Sequence, residues 1–247
     1  MPKVAAFSPS RLAVWQRCAR RYYWQYVVKV PRKRTGDQAV GISIHGALEA
    51  VQQAGGLAAT GLAGALALLQ DKWEGEGFAT PEEEATAKVA AEAMLRRYLE
   101  THGAGDGVPV MLEKKLTGSF DGVPLLGIVD RVERHPDGSL ELIDYKSGRS
   151  AAAGAGDPEV VQQLAIYRYL VGEATGAAPT RVTVHHVTAG TLPITLAPGA
   201  WEAHLATAAA AARAIDAEED FDPRVSSACR SCDYAGRCQA YQQSGLR

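Results

Sequence analysis

Cysteine is scarce in this 247-residue sequence, which has only four. Three of them, Cys229, Cys232 and Cys238, lie within ten residues of one another, and Cys18 lies near the other end of the chain. In a chain expected in the cytoplasm, such a cluster favours metal binding over disulfide bonds. The four thiols are therefore candidate metal ligands.

Long apolar runs are also missing. The longest candidate, residues 58–69, is too short and too rich in alanine and glycine to span a membrane. The first residues lack the apolar core and cleavage site of a signal peptide, so we expect a cytoplasmic protein with no membrane partner. The nucleotide-binding pattern G-x4-G-K-[ST] is absent from the sequence, so any unwinding of nucleic acid would need a partner.

Acidic residues are absent before Asp37, although nine Lys or Arg residues lie between Met1 and Arg34. Aromatic residues are interleaved with this charge. A basic and aromatic segment suits a nucleic-acid groove, because cations follow the phosphates and rings stack on bases. The alternative is a solvated helix face with its rings in the core. On the first interpretation, the candidate DNA contacts are Arg20, Arg21 and Tyr22.

The predicted secondary structure changes near residue 105, from mainly helices to strands alternating with helices. Hydrophobic spacing and capping residues predict helices over residues 11–26, 41–54, 65–73 and 81–102, with a charged loop at 32–37 and a break at 55–64. Strands are predicted at 108–116, 125–133, 139–145, 181–188 and 192–196, and helices at 157–173 and 198–219. We therefore expect an α/β core with a helical N-terminal elaboration. Residues 151–156 are predicted to form a mobile loop.

The segment 127–147 is predicted to be a hairpin closed by a turn at residues 136–138. A three-residue loop there would place Asp130 opposite Asp144, with both side chains on one face. Lys146 lies two residues beyond Asp144 and shares that face. Two carboxylates would repel each other unless a cation neutralises them, and Mg²⁺ commonly binds one or two carboxylates.

The lysine of this hairpin could position or deprotonate a metal-bound water, or stabilise charge that develops on phosphorus. The alternative is a surface ladder of salt bridges. Three further features extend the set. His45 on the polar side of its helix could supply an imidazole ligand, and Glu113 on the preceding strand could be another acid near the cleft. Gln163 and Tyr167 share one face of the next helix.

The order His45, Gly127-x-x-Asp130, Asp144-Tyr145-Lys146 and Gln163-Leu164-x-x-Tyr167 resembles the PD-(D/E)XK nuclease superfamily, in its RecB-like exonuclease branch. The resemblance implies a restriction-endonuclease-like α/β fold, with a mixed central sheet flanked by helices, and cleavage of DNA with Mg²⁺ or Mn²⁺. It also implies residue roles. The metal ligands would be His45, Asp130, Asp144 and the backbone carbonyl of Tyr145. Lys146 would act in catalysis with the two aspartates, and Gln163 and Tyr167 would support the site or contact DNA.

The cysteines resemble those of iron–sulfur nucleases, the AddB-type subunits and the CRISPR-associated adaptation nucleases. The resemblance implies that Cys18, Cys229, Cys232 and Cys238 hold a [4Fe–4S] cluster that joins the chain ends. Ala19 replaces the proline that follows the first cysteine in that pattern. On chemistry alone, four thiolates could equally hold Zn²⁺. Three regions are expected: a helical region at 1–104, the nuclease core at 105–220, and a cysteine tail at 221–247 that packs against the N-terminus.

Three functions are compatible with these features. The first is a DNA exonuclease that acts on single strands or duplex ends, in repair, recombination or CRISPR adaptation, with a helicase or adaptation partner. The second is a catalytically silent DNA-binding subunit of such a complex, although a silent module has no physical need for acids clustered around a lysine. The third is a zinc-stapled RNA-binding protein, supported only by the basic aromatic N-terminus.

Overall fold

A computed structural model describes residues 4–103, 106–148 and 156–246. The predicted residues 151–155 of the mobile loop lie outside these ranges. A five-stranded sheet with the order β1-β2-β3-β4-β5 forms the centre of the fold. Its strands are Val108–Phe120, Val123–Arg134, Leu140–Lys146, Arg181–His186 and Gly190–Pro193. Antiparallel pairing joins β2 to β3 and β4 to β5, whereas β3 and β4 are parallel. The predicted mixed sheet flanked by helices is therefore confirmed.

Eight α-helices are found in the described residues: α1 Pro9–Arg17, α2 Ala19–Tyr22, α3 Gly36–Gln53, α4 Leu57–Asp71, α5 Pro81–His102, α6 Pro158–Thr175, α7 Ala200–Ala217 and α8 Gln239–Gln243. None of the helices in these ranges is long and apolar enough to cross a membrane.

Contacts divide the chain into two compact units, each built from separate segments. The first, here the cysteine unit, comprises Met1–Arg32, Thr117–Leu126 and Pro198–Arg247. The second, here the sheet unit, comprises Lys33–Leu116 and Gly127–Ala197. The expected regions at 1–104, 105–220 and 221–247 stay a prediction.

Helices α3, α4 and α5 form the main apolar core of the sheet unit. Ile44 and Leu48 of α3 pack with Leu95 of α5 and with Ile143 and Tyr145 of β3, and all five are nearly inaccessible to solvent. Burial of each such side chain contributes roughly 1.5–3 kcal/mol. The core fixes α3 against β3, and this contact sets the position of His45, which follows Ile44.

Helix α6 connects β3 to β4, as a parallel pair requires. It begins at Pro158, where Asp157 caps the helix by accepting a hydrogen bond from the Glu159 amide. It ends at Gly176, whose left-handed conformation (φ 78°) terminates the helix without the penalty of a Cβ. Because β3 and β4 are parallel neighbours, α6 crosses the sheet and carries its side chains onto β3.

The predicted register of the β2–β3 hairpin is confirmed from Arg134↔Leu140 to Arg131↔Ile143. The turn closes through Gly138, which has a φ of 82°. In this turn the Gly138 amide donates to the His135 carbonyl over 2.9 Å. A turn that needs a positive φ favours glycine, so the register of this pairing could be predicted from the turn residues.

Two helices begin earlier than predicted. Helix α3 begins at Gly36 instead of residue 41, because Thr35 and Gln38 form a reciprocal capping box inside the predicted charged loop. Helix α4 begins at Leu57, where a break was expected. The helix is kinked at Gly61, whose dihedral angles, φ 61° and ψ 172°, are not helical.

The predicted continuous helix at residues 11–26 is also wrong. Cys18 has extended dihedral angles, φ −164° and ψ 119°, and separates α1 from α2. A π-helix, Tyr23–Val27, then follows. The helical spacing of the apolar residues continues through this segment, so the sequence pattern alone contains no signal for the interruption.

In the cysteine unit, α1 packs against α7. Trp15 and Tyr22 lie around Phe221 from the C-terminal segment, with ring centroids 6.1 and 6.2 Å from it. The two chain ends are also linked by polar contacts. Arg224 Nη1 donates to the Gln16 carbonyl over 2.8 Å, and Arg21 pairs with Asp233 over 3.1 Å.

Candidate active site

Asp144 lies on β3 and is 1 % exposed. Its Oδ1 accepts a hydrogen bond from Gln163 Nε2 of α6 over 3.2 Å. Lys146 Nζ forms an ion pair with Oδ2 over 2.7 Å, although this buried oxygen accepts no regular hydrogen bond from the described residues. A buried carboxylate with incomplete hydrogen bonding is costly, and a bound cation would lower that cost.

Gln163 joins three of the predicted site residues. It accepts a hydrogen bond from Lys146 Nζ over 2.9 Å and donates to Asp144 and to the Tyr167 hydroxyl, the latter over 3.0 Å. The side chain is thus oriented by one donor and two acceptors, which suits an amide in a single orientation. The structure brings Lys146, Asp144, Gln163 and Tyr167 together on one face of β3.

Asp130 lies where β2 and β3 stop pairing. The backbone ladder ends at Arg131↔Ile143, and the Asp130 carboxylate instead accepts a hydrogen bond from the Tyr145 amide over 2.7 Å. The carboxylate is 11 % exposed, and its Oδ2 lies 3.6 Å from His45 Nδ1. Asp130 therefore connects the backbone of β3 to the histidine of α3.

Glu113 completes this cluster from β1. Its Oε1 lies 3.9 Å from His45 Nδ1. Ligand atoms of His45, Glu113 and Asp130 all lie within 4.8 Å of one another, a spacing that allows a single metal ion to contact all three. The predicted acid near the cleft thus lies directly beside the histidine.

The charges of the cluster are unbalanced without a cation. Burial, and then the nearby Asp130 charge, raise the pKa of Glu113 to about 7, although His45 opposes the rise. Burial also raises the pKa of Asp144, against the opposing effect of Lys146. Burial alone would lower the pKa of His45, but the nearby Asp130 carboxylate outweighs it and raises that pKa. Each shift reflects crowded carboxylates in a poorly solvated place.

A divalent metal fits this donor set. Imidazole and carboxylate groups are suitable ligands for Mn²⁺, and carboxylates and carbonyls suit Mg²⁺. The buried Asp144 carboxylate and the close spacing of His45, Glu113 and Asp130 are both features that a cation would stabilise. The Tyr145 carbonyl belongs to the residue whose amide holds Asp130, so it lies in the same part of β3.

A polar network behind β3 was not identified from the sequence. Arg131 Nη1 donates to the Tyr145 hydroxyl over 3.2 Å, and Arg131 also pairs with Glu133. The Tyr98 hydroxyl lies 2.6 Å from His185 Nδ1. The ring of Tyr145 is thereby anchored in the core while its backbone lies at the site. Alternating charged residues on β2 resemble a solvated strand, so only tertiary burial distinguishes this network.

The four cysteines line one cavity of the cysteine unit, together with residues such as Arg17, Arg20 and Trp24. Two backbone amides donate to their sulfur atoms, Arg224 to Cys18 and Ser226 to Cys229, each over 3.4 Å. Amide donors of this kind stabilise thiolates that bind a metal or cluster. The structure thus places all four cysteines along one cavity.

The predicted DNA contacts in the N-terminal segment are largely engaged within the cysteine unit. Tyr22 is 1 % exposed beside Phe221, so the expectation that its ring contacts DNA is wrong: a buried ring has no face free for a base. Arg21 pairs with Asp233, and Arg20 lies over the Tyr23 ring, 5.8 Å from its centroid. Their roles toward DNA stay predictions.

Solved structures include chains that resemble this one. A search of curated proteins gave no match. The crystal structure of a candidate exonuclease from Eubacterium rectale is 11 % identical, with a TM-score of 0.52, and the match covers 93 % of this chain and 87 % of that one. The structure of a protein designated SSO0001 is 17 % identical, with a TM-score of 0.49, over 98 % and 89 % of the two chains.

The E. rectale likeness supports the fold, and the family follows from the sequence match. The model that describes the PD-(D/E)XK nuclease superfamily matches residues 6–239. That span contains every residue of the site and all four cysteines. The chain belongs to the PD-(D/E)XK nuclease superfamily.

Proposed function

We propose that this protein is a Mg²⁺- or Mn²⁺-dependent deoxyribonuclease that hydrolyses phosphodiester bonds as an exonuclease on single strands or duplex ends. The observation that carries the proposal is the convergence of Asp144, Lys146 and Gln163 with the cluster of His45 and Asp130. A silent DNA-binding module would gain nothing from carboxylates buried at such a cost.

The metal would be held by His45, Asp130, Asp144 and the Tyr145 carbonyl. Bound there, it would polarise the phosphate and lower the pKa of a coordinated water. Lys146 lies beside Asp144 and is 25 % exposed, so its ammonium can reach a phosphate oxygen while Gln163 fixes its direction. Lys146 would position the attacking water and stabilise the negative charge that develops on the phosphoryl oxygens.

The RecB-like branch and exonuclease activity rest on the order of motifs from His45 through Gln163 and Tyr167. The four-cysteine cavity supports the further proposal that Cys18, Cys229, Cys232 and Cys238 hold a [4Fe–4S] cluster, with Zn²⁺ as the alternative. This combination favours a role at DNA ends in repair, recombination or CRISPR adaptation, with a helicase or an adaptation protein as partner.

The proposal is tested with DNA labelled at either end, in single- and double-stranded form, with Mg²⁺ or Mn²⁺. Wild-type protein should release nucleotides or short oligonucleotides from the ends, and circular DNA should resist cleavage. Lys146→Met and Asp144→Asn should lose at least about 100-fold in rate while retaining the fold by circular dichroism. Wild-type activity in purified Lys146→Met would contradict the proposed mechanism.

A further inference from the structure

The backbone of Glu113 is strained within β1. Its φ is 40°, a left-handed value that residues with a side chain rarely adopt. Three other non-glycine residues in the described ranges share a positive φ, and none of these lies within a strand: Lys29, Asp121 and Phe221. Such conformations cost on the order of 1–3 kcal/mol, and they persist where the surrounding structure holds them, commonly at functional sites.

The strained residue interrupts the regular alternation of β1. Met111, Leu112 and Glu113 are all half-buried in succession, whereas exposed and half-buried residues alternate before them. An irregularity of this kind changes the direction in which a side chain points, compared with its direction in a regular strand. Here it brings the Glu113 carboxylate to the His45 and Asp130 ligand atoms.

The contacts of Glu113 do not account for that position. Its Oε1 lies 3.9 Å from His45 Nδ1, too far for a hydrogen bond that would orient the ring. The other groups that act on it electrostatically are Asp130, Glu49 and Asp144, and all three are acidic. In the described part of the chain, the arrangement thus combines backbone strain with repulsion between carboxylates.

We propose that Glu113 is itself a direct ligand of the divalent metal, sharing the ion with His45 and Asp130. The inference rests on the proposed function, and it adds to the four ligands that the sequence motifs imply. Asp144 is already engaged by Gln163, with Lys146 beside it, whereas the Glu113 carboxylate faces the open groove along α3 that His45 and Glu49 also line. A metal bound there would offset both the repulsion and the strain.

The experiment is Mn²⁺ binding by isothermal titration, with the electron paramagnetic resonance spectrum of the bound ion as a second readout. Glu113→Gln removes the charge and keeps the size of the side chain. Glu49→Gln is the matched control, because Glu49 is an acid of the same groove. We expect Glu113→Gln to weaken Mn²⁺ binding at least about tenfold and to alter the spectrum, with Glu49→Gln within about threefold of wild type.

A second variant, Glu113→Gly, tests whether a loss of Mn²⁺ binding is caused by misfolding. Glycine adopts a φ of 40° without strain, so Glu113→Gly should retain the strand irregularity. Without metal its melting temperature should equal or exceed that of wild type, and Mn²⁺ should raise it far less than it raises the wild-type value. Wild-type Mn²⁺ affinity in both Glu113 variants would overturn the inference.

The two proposals fail in different ways. If Asp130→Asn abolishes Mn²⁺ binding and cleavage while the Glu113 variants bind normally, the nuclease proposal stands and Glu113 is not a ligand. If the wild-type protein binds no Mn²⁺ and cleaves no DNA, the proposed function itself is wrong, and the assignment of Glu113 is overturned with it.

Discussion

The ring of Tyr167 lies directly against Gly127, three residues before Asp130 on β2. A Cβ atom added at Gly127 would come within 2.8 Å of both Cδ1 and Cε1 of that ring. The hydroxyl of the same ring accepts a hydrogen bond from Gln163, which in turn contacts Lys146 and Asp144. Glycine at position 127 therefore allows α6 to approach β2 closely enough to orient the lysine.

The first prediction follows from this contact. Gly127→Ala should displace Tyr167, lower the free energy of unfolding by roughly 1–3 kcal/mol, and reduce the cleavage rate about tenfold or more. Urea unfolding and end-labelled DNA cleavage measure the two effects. Gly64→Ala, on helix α4 with its nearest atom at 3.4 Å, is the control and should be neutral or slightly stabilising. Equal behaviour of the two variants would contradict the packing argument.

The second prediction concerns pH in the absence of metal. The pKa of Glu113 is about 7 in the folded protein, against 4.5 for an ordinary glutamate. Between these values the folded state retains a proton that the unfolded state has lost, so the free energy of unfolding should fall as pH rises from about 4.5 to about 7. Below this pH range Glu113 is protonated in both states and does not lower the free energy of unfolding. Above the range it is ionised in both states, and the full decrease in the free energy of unfolding is present.

Glu113→Gln removes that titration. In EDTA, the free energy of unfolding of Glu113→Gln should match the wild-type value near pH 4.5 and exceed it at pH 8 by on the order of 1–3 kcal/mol. Urea titrations across the pH range measure the difference, with Glu49→Gln as a comparison in which Glu113 still titrates, so that its free energy of unfolding should still fall as pH rises. A constant difference between Glu113→Gln and wild type at every pH would show that Glu113 does not titrate as predicted.

The hairpin of the site was accessible from the sequence, whereas several of its partners were not. Strand alternation places Lys146 on the same face as Asp144, and the Pro136–Gly138 turn sets the register that brings Asp130 beside β3. The approach of Glu113 depends on one strained residue that strand alternation does not reveal. Helical periodicity likewise gives no sign of the extended backbone at Cys18, whose sulfur accepts a hydrogen bond from the distant Arg224 amide.

The third prediction concerns the buried anchor of Tyr145. Tyr145→Phe removes the hydroxyl that accepts from Arg131 Nη1, and burial would prevent water from replacing it freely. The loss should cost roughly 1–3 kcal/mol in the free energy of unfolding. Because the Tyr145 amide holds Asp130, Mn²⁺ affinity should also fall. Unfolding by urea and Mn²⁺ titration measure the two changes, and unchanged values for both would show that the hydroxyl has no positioning role.

The fourth prediction concerns the four thiols. Protein purified without oxygen should be brown and contain iron and sulfide, since the cavity places Cys18 with the three C-terminal cysteines. Cys232→Ser should lose the metal, and residues of α1 and α8 should exchange amide hydrogens faster, because metal binding and folding are coupled. Ser231→Ala, between two of the cysteines, should retain the metal and the exchange pattern. Colourless wild-type protein with one bound zinc would show that the cysteines form a zinc site instead of an iron–sulfur site. Metal-free wild-type protein, together with unchanged hydrogen exchange in Cys232→Ser, would exclude a structural metal at the four cysteines.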